Sequence, residues 1–164
     1  MFRSVLFDQR KRRYAATFQV VEFSVQDNHL HLIVEATGAD AHRELRSGVS
    51  GLVIAFAKRL NMMLGRRGKV WGDRWHGRSL GSPTEVRNAL VYVFRNVAKH
   101  GTRMIGDGAV DPKSSAPRFG GWIAPLPWVF DDGPWPQRPP RTWLLGTGWR
   151  THGGGPLDPR EVKR

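Results

Sequence analysis

The chain has no cysteine, which excludes disulfides and thiolate zinc sites and fits a cytoplasmic protein. No run approaches the roughly 18 consecutive apolar residues of a membrane span, and the charged start lacks the apolar stretch of a signal peptide, so no membrane partner is expected. Acidic residues are scarce. The 14 Asp and Glu face 26 Lys and Arg, a net charge of +12, and such an excess is the footprint of a phosphate-binding partner. Tyrosine is scarcer still, with Tyr14 in a basic segment and Tyr92 as the only two. Proline is nearly absent from the first two thirds of the chain: 10 of the 11 lie after residue 111.

What the sequence does have is His29-Leu30-His31, inside a strand-like run from Asn28 to Glu35. Side chains alternate along a strand, so His29 and His31 share one face and Leu30, Leu32 and Val34 share the other. The aliphatic set is predicted to be the buried one, with the imidazoles turned away from the packing helices. Such a pair is commonly two solvated histidines. As ligands, the two imidazoles suit a divalent cation whose remaining positions are filled by oxygen donors, water or substrate, an open arrangement that serves catalysis.

Ser82-Pro83-Thr84-Glu85 reads as a capping box that opens a helix running to about His100. On that helix Val86, Ala89, Leu90, Val93, Phe94 and Val97 form one apolar stripe, while Asn88, Tyr92, Asn96 and Lys99 fall opposite. A tyrosine opposite the packing stripe is either an exposed or interface residue or a phenolic nucleophile. Asn96 lies one turn on, where its amide oxygen can reach the same point as the phenol and complete a metal shell begun by the histidines.

An H-hydrophobe-H strand, a basic segment ending in Trp71-Gly72-Asp73-Arg74-Trp75-His76, and a helix holding Tyr-x-x-x-Asn occur in that order, with Asp111-Pro112-Lys113-Ser114-Ser115-Ala116 later. Together they resemble the single-tyrosine HUH transposases of insertion sequences, in particular the branch related to REP-associated tyrosine transposases, over roughly residues 2–122. The resemblance implies that His29 and His31 hold Mg2+ or Mn2+. It implies that Tyr92 attacks a phosphate of single-stranded or hairpin DNA to give a 5′-phosphotyrosine link and a free 3′-hydroxyl. Asn96 stands where better-known members use glutamine as third ligand, so the amide oxygen is kept with a reach one methylene shorter. The implied outcome is strand cleavage and transfer in DNA transposition. A DNA-binding relict without turnover, and a phosphoesterase using water in place of Tyr92, are the alternatives. A homodimer is left open.

The basic residues Arg66, Arg67, Lys69, Arg74, Arg78 and Lys99 are the expected DNA contacts, with Trp71 and Trp75 offering a base-stacking groove beside the loop. A further basic run spans Arg10 to Arg13. Elements are expected as a helix at about 2–18, strands at 19–26 and 29–36, a helix at about 41–64 capped by Asp40, a strand near 69–80, and the tyrosine helix. Val21, Phe23 and Val25 should share one strand face. This order suits an α+β, ferredoxin-like sandwich with helices on one face of an antiparallel sheet. Members of that family begin with a further strand, whereas this chain starts inside the first helix at Met1-Phe2-Arg3, so an N-terminally truncated sheet with an unpaired edge is expected. Residues 1–122 form the expected catalytic domain, and the Pro-, Gly- and Trp-rich residues 123–164 the expected, largely disordered tail.

Overall fold

The computed structural model describes residues 1–9, 11–100, 110–126 and 135–162, with the backbone alone at residues 13, 14, 96–100 and 162. Arg10 and the side chains of Arg13, Tyr14, Asn96, Val97 and Lys99 therefore lie outside the described residues. The chain is α+β. Its named strands, β1 (Phe18–Val25) and β2 (Leu30–Ala36), form a two-stranded sheet, and a connection of only four residues makes them antiparallel. The longer helices are α1 (Phe2–Gln9), α2 (Ala41–Met63) and α3 (Pro83–His100), and a short α4 (Trp149–His152) follows a π turn at Leu144–Gly148. No helix among the described residues is long and apolar enough to cross a membrane.

Two compact units divide the chain. The first comprises Met1–Gln19 and Val34–Ser79. Here Asp40 caps α2 as expected, its carboxylate accepting from the Arg43 backbone N–H at 2.9 Å. Val49, Leu52 and Phe56 form the buried stripe, and Phe2 of α1 meets Phe56 edge-on at 5.6 Å. The first helix is shorter than periodicity predicted: α1 ends at Gln9 and a separate 3-10 turn spans Arg13–Ala16. The intervening cationic run sets like charges one turn apart, which opposes helix continuation. The strand expected near 69–80 is absent. That stretch holds Gly72 and Gly77 and lacks a strand's apolar alternation. Trp71 instead packs back on α2, its Nε1–H donating to Val53 O at 2.9 Å.

The second unit comprises Val20–Ile33 and Leu80–Arg164. The Ser82 hydroxyl accepts from Glu85 N at 3.2 Å, and Glu85 Oε2 accepts from Gly81 N at 2.7 Å, so the capping box closes one residue earlier than its usual form. Val86, Leu90, Val93 and Phe94 of α3 are buried together with Val21, Ile33 and Ala116. The same cluster includes Leu145, Trp149 and Leu157, which overturns the expectation of a largely disordered tail for the described part of residues 123–164. Composition alone missed the reason. Trp149 is 2% exposed and donates through Nε1 to Leu145 O at 3.0 Å, so three widely spaced apolar residues anchor a segment otherwise rich in Pro and Gly. Arg87 Nη2 donates to both Glu161 carboxylate oxygens, each at 2.9 Å, and fastens the far end of that segment to α3.

Two strand expectations also change. On β2 the buried residues are Ile33 and Glu35, which share the parity of His29 and His31, while Leu30, Leu32 and Val34 are half-buried. The imidazole face is thus the one turned toward α3, because Ile33 joins the α3 core and Glu35 is satisfied inside by Gln19 Nε2 at 2.7 Å. The edge of β1 is also paired at its end. Val25 N donates to Lys113 O at 3.2 Å and Ser115 N to Phe23 O at 2.9 Å, around an antiparallel Ser24–Ser114 bridge. The Asp111–Ala116 segment covers this edge because Asp111 folds it into a turn, accepting from Lys113 N at 2.8 Å.

Candidate active site

At the start of β2 the His29 and His31 rings lie 4.8 Å apart, centroid to centroid, at an interplanar angle of 80°. His31 in turn meets Tyr92 edge-to-face at 5.1 Å and 84°. Two physical causes converge here. Strand parity puts both imidazoles on the face toward α3, and the helical repeat carries Tyr92 just past the apolar stripe, where its side chain stays 52% exposed. A chemically capable phenol at the solvent margin therefore touches a histidine while its own helix is anchored by Val86, Leu90, Val93 and Phe94. His29, His31 and Tyr92 do come together, but on a β2 face that was expected from the sequence to turn away from the packing helices and that the structure turns toward α3.

His29 Nδ1 lies 2.6 Å from Asn28 Oδ1, an oxygen that accepts. With the Nδ1 proton on that contact, the lone pair sits on Nε2, which is the tautomer a metal ligand needs. Two neighbouring imidazoles are an open donor set suited to one borderline divalent ion. Among the described residues no group of three or more His, Cys, Asp or Glu is placed to hold a metal ion. Asn96, the third donor expected from the sequence, is carried by α3 one turn beyond Tyr92, and its side chain lies outside the described residues.

Arg95, exposed and three residues after Tyr92, was not singled out from the sequence, yet the helical repeat puts it beside the phenol on the same surface. The signal was present as a basic residue at i+3 from the tyrosine. Lys99 lies on α3 with its side chain outside the described residues. Arg66, Arg67, Lys69, Arg74 and Arg78 are all exposed and belong to the first unit, whereas His29, His31 and Tyr92 belong to the second. The stacking groove expected from two tryptophans is reduced to one. Trp71 is packed on Phe56 at 5.2 Å, and Trp75 alone remains open, at 41% exposure.

The second unit also contains a buried acid that sequence reasoning passed over. Glu22 lies within β1, where burial drives its carboxyl up to about 8, with hydrogen bonds from Ser115 and Gln137 acting in the opposite direction. Gln137 Nε2 donates to its Oε2 at 3.2 Å, so the acid receives a residue of the C-terminal segment. Strand alternation reads a glutamate between Val21 and Phe23 as outward-facing. Its partners Ser115 and Gln137 are distant in sequence, so alternation along β1 does not reveal them.

Compared with family models, with curated proteins and with solved structures, the chain matches none.

Proposed function

We propose that this protein is a tyrosine-dependent DNA strand transferase of the single-tyrosine HUH type, acting on single-stranded or hairpin DNA in a transposition-like reaction. The observation that carries the reading is the His29–His31–Tyr92 cluster, in which two strand imidazoles and an exposed helix phenol share one surface. The net charge of +12 supports a polyanionic substrate. In this reading β1, β2 and the Lys113–Ser115 segment beside β1 are parts of the antiparallel sheet of a ferredoxin-like sandwich.

The chemistry balances without an outside energy source. The Tyr92 phenolic oxygen forms a bond to phosphorus as the bond from phosphorus to the 3′-oxygen breaks. The phenol gives up its proton and the 3′-oxygen leaves as a hydroxyl, so one phosphodiester is exchanged for another. Reversal by a new 3′-hydroxyl completes strand transfer. His29 and His31, with Asn96, would hold Mg2+ or Mn2+, which when bound polarises the scissile phosphate. His31, set edge-to-face against the phenol, fixes the direction from which Tyr92 approaches. Arg95 offers a cation to the flanking phosphate.

The test is incubation of the full chain with end-labelled single-stranded hairpin DNA and Mn2+, followed by denaturing electrophoresis. A shifted protein–DNA band with the native chain, lost in Tyr92→Phe and weakened in His31→Ala, is expected. Cleavage that survives in Tyr92→Phe would make water the nucleophile, and DNA binding with no adduct on any hairpin would leave a binding protein.

A further inference from the structure

The C-terminal segment carries an exposed aromatic shelf that the cleavage chemistry does not use. Trp143 is 57% exposed, yet its ring is fixed in place. A Cβ on Gly148 would come within 2.7 Å of ring atom Cζ3, so the indole lies against the bare backbone of the π turn and only glycine allows it. His152 of α4 closes the edge of the shelf, its ring 5.5 Å from the indole at 54°, and is itself held by Thr151 Oγ1 at 2.7 Å from Nδ1. The anchor beneath is the buried Trp149, with Arg150 stacked over it at 5.3 Å.

The surroundings favour an anionic partner. Residues 135–162 contain Arg138, Arg141, Arg150 and Arg160 against Asp158 and Glu161. Asp158 pairs with Arg160 and Glu161 with Arg87 at 2.9 Å, so the basic excess of the segment is carried by Arg138, Arg141 and Arg150. A flat, half-open indole on a segment with a basic excess is an arrangement that takes an unpaired base by stacking. We propose that Trp143 and His152 form a stacking platform for an unpaired base of single-stranded DNA, a second contact outside the His29–His31–Tyr92 cluster. The proposal rests on the reading of DNA as the partner.

Fluorescence anisotropy tests it, with the full chain carrying Tyr92→Phe to prevent covalent capture. The probes are a labelled oligothymidylate and an abasic strand of equal length and charge. Trp143→Ala should weaken oligothymidylate binding about tenfold and leave the abasic strand within about twofold, because only the stacking partner is lost. Trp143→Phe should fall between. If Trp143→Ala lowers the melting temperature, Trp143→Phe and His152→Ala carry the comparison, each expected to weaken only the base-bearing strand. Equal losses on both strands, or none on either, would overturn the platform while leaving the cleavage reading to its own adduct assay. A chain that binds neither strand would also overturn the platform, and the adduct assay on hairpin DNA then decides the cleavage reading separately.

Discussion

Replacing Glu22 by Gln should flatten the pH dependence of stability, and the sign follows from where its proton sits. In the folded chain burial holds the carboxyl up to about 8, whereas its ordinary value is 4.5. Folding therefore favours the protonated form. Its contribution is fully present below the ordinary value and is lost as pH rises through the window between 4.5 and about 8. Within that window the folded state binds one proton more than the unfolded, so stability falls by about 1.4 kcal/mol per pH unit. Over the whole window the loss is on the order of 5 kcal/mol, an upper bound comparable with the stability of a small domain. Glutamine keeps the shape and an oxygen for Gln137 Nε2, and its amide can donate to Ser115, without any charge to bury. Urea unfolding from about pH 5 to about pH 9 should show the native chain losing stability steadily while Glu22→Gln stays level and becomes the more stable at the alkaline end. Parallel curves for the two proteins would refute the buried-acid argument.

Gly48→Ala should destabilise the first unit by about 1–3 kcal/mol, read from the urea midpoint, because the new methyl would fall 2.1 Å from Phe18 Cγ. Ser82→Ala should cost about 1 kcal/mol by removing the hydroxyl that accepts from Glu85 N, with the loss confined to the unit containing α3. DNA affinity should fall linearly on a log–log plot against salt, with a slope of about −0.7 per phosphate contact. Replacing Arg66, Arg67 and Lys69 together should flatten that slope, and an unchanged slope would remove this loop from the interface.

Local rules made much of this molecule readable. Asp40 and Ser82 announced α2 and α3 because a cap is satisfied by backbone groups within three residues, and the α3 stripe followed from the helical repeat. That His29 and His31 share one face, and that Tyr92 stands beside the apolar stripe, followed from parity and repeat. Which face of β2 would be buried was not readable, since both faces carry apolar residues and the choice was made by Ile33 joining the α3 core and Gln19 satisfying Glu35. The order in the C-terminal segment was hidden in the same way. Leu145, Trp149 and Leu157 gain their burial from α3 and from Phe119, far away in sequence. The irregular path of residues 69–80 includes Trp71 finding an acceptor on α2, a tertiary contact that propensity cannot register.

The central claim is that Tyr92 is the nucleophile, and locating the covalent bond tests it most directly. The full chain should be reacted with single-stranded hairpin DNA and Mn2+, digested with nuclease and protease, and its peptides analysed by mass spectrometry. The account predicts a nucleotide mass on the α3 peptide, with fragmentation placing it on the Tyr92 phenol and the phosphate at the 5′ end of the retained DNA. A nucleotide found on Tyr14, on a serine or on a histidine would contradict the account, as would cleaved DNA with unmodified α3 peptide.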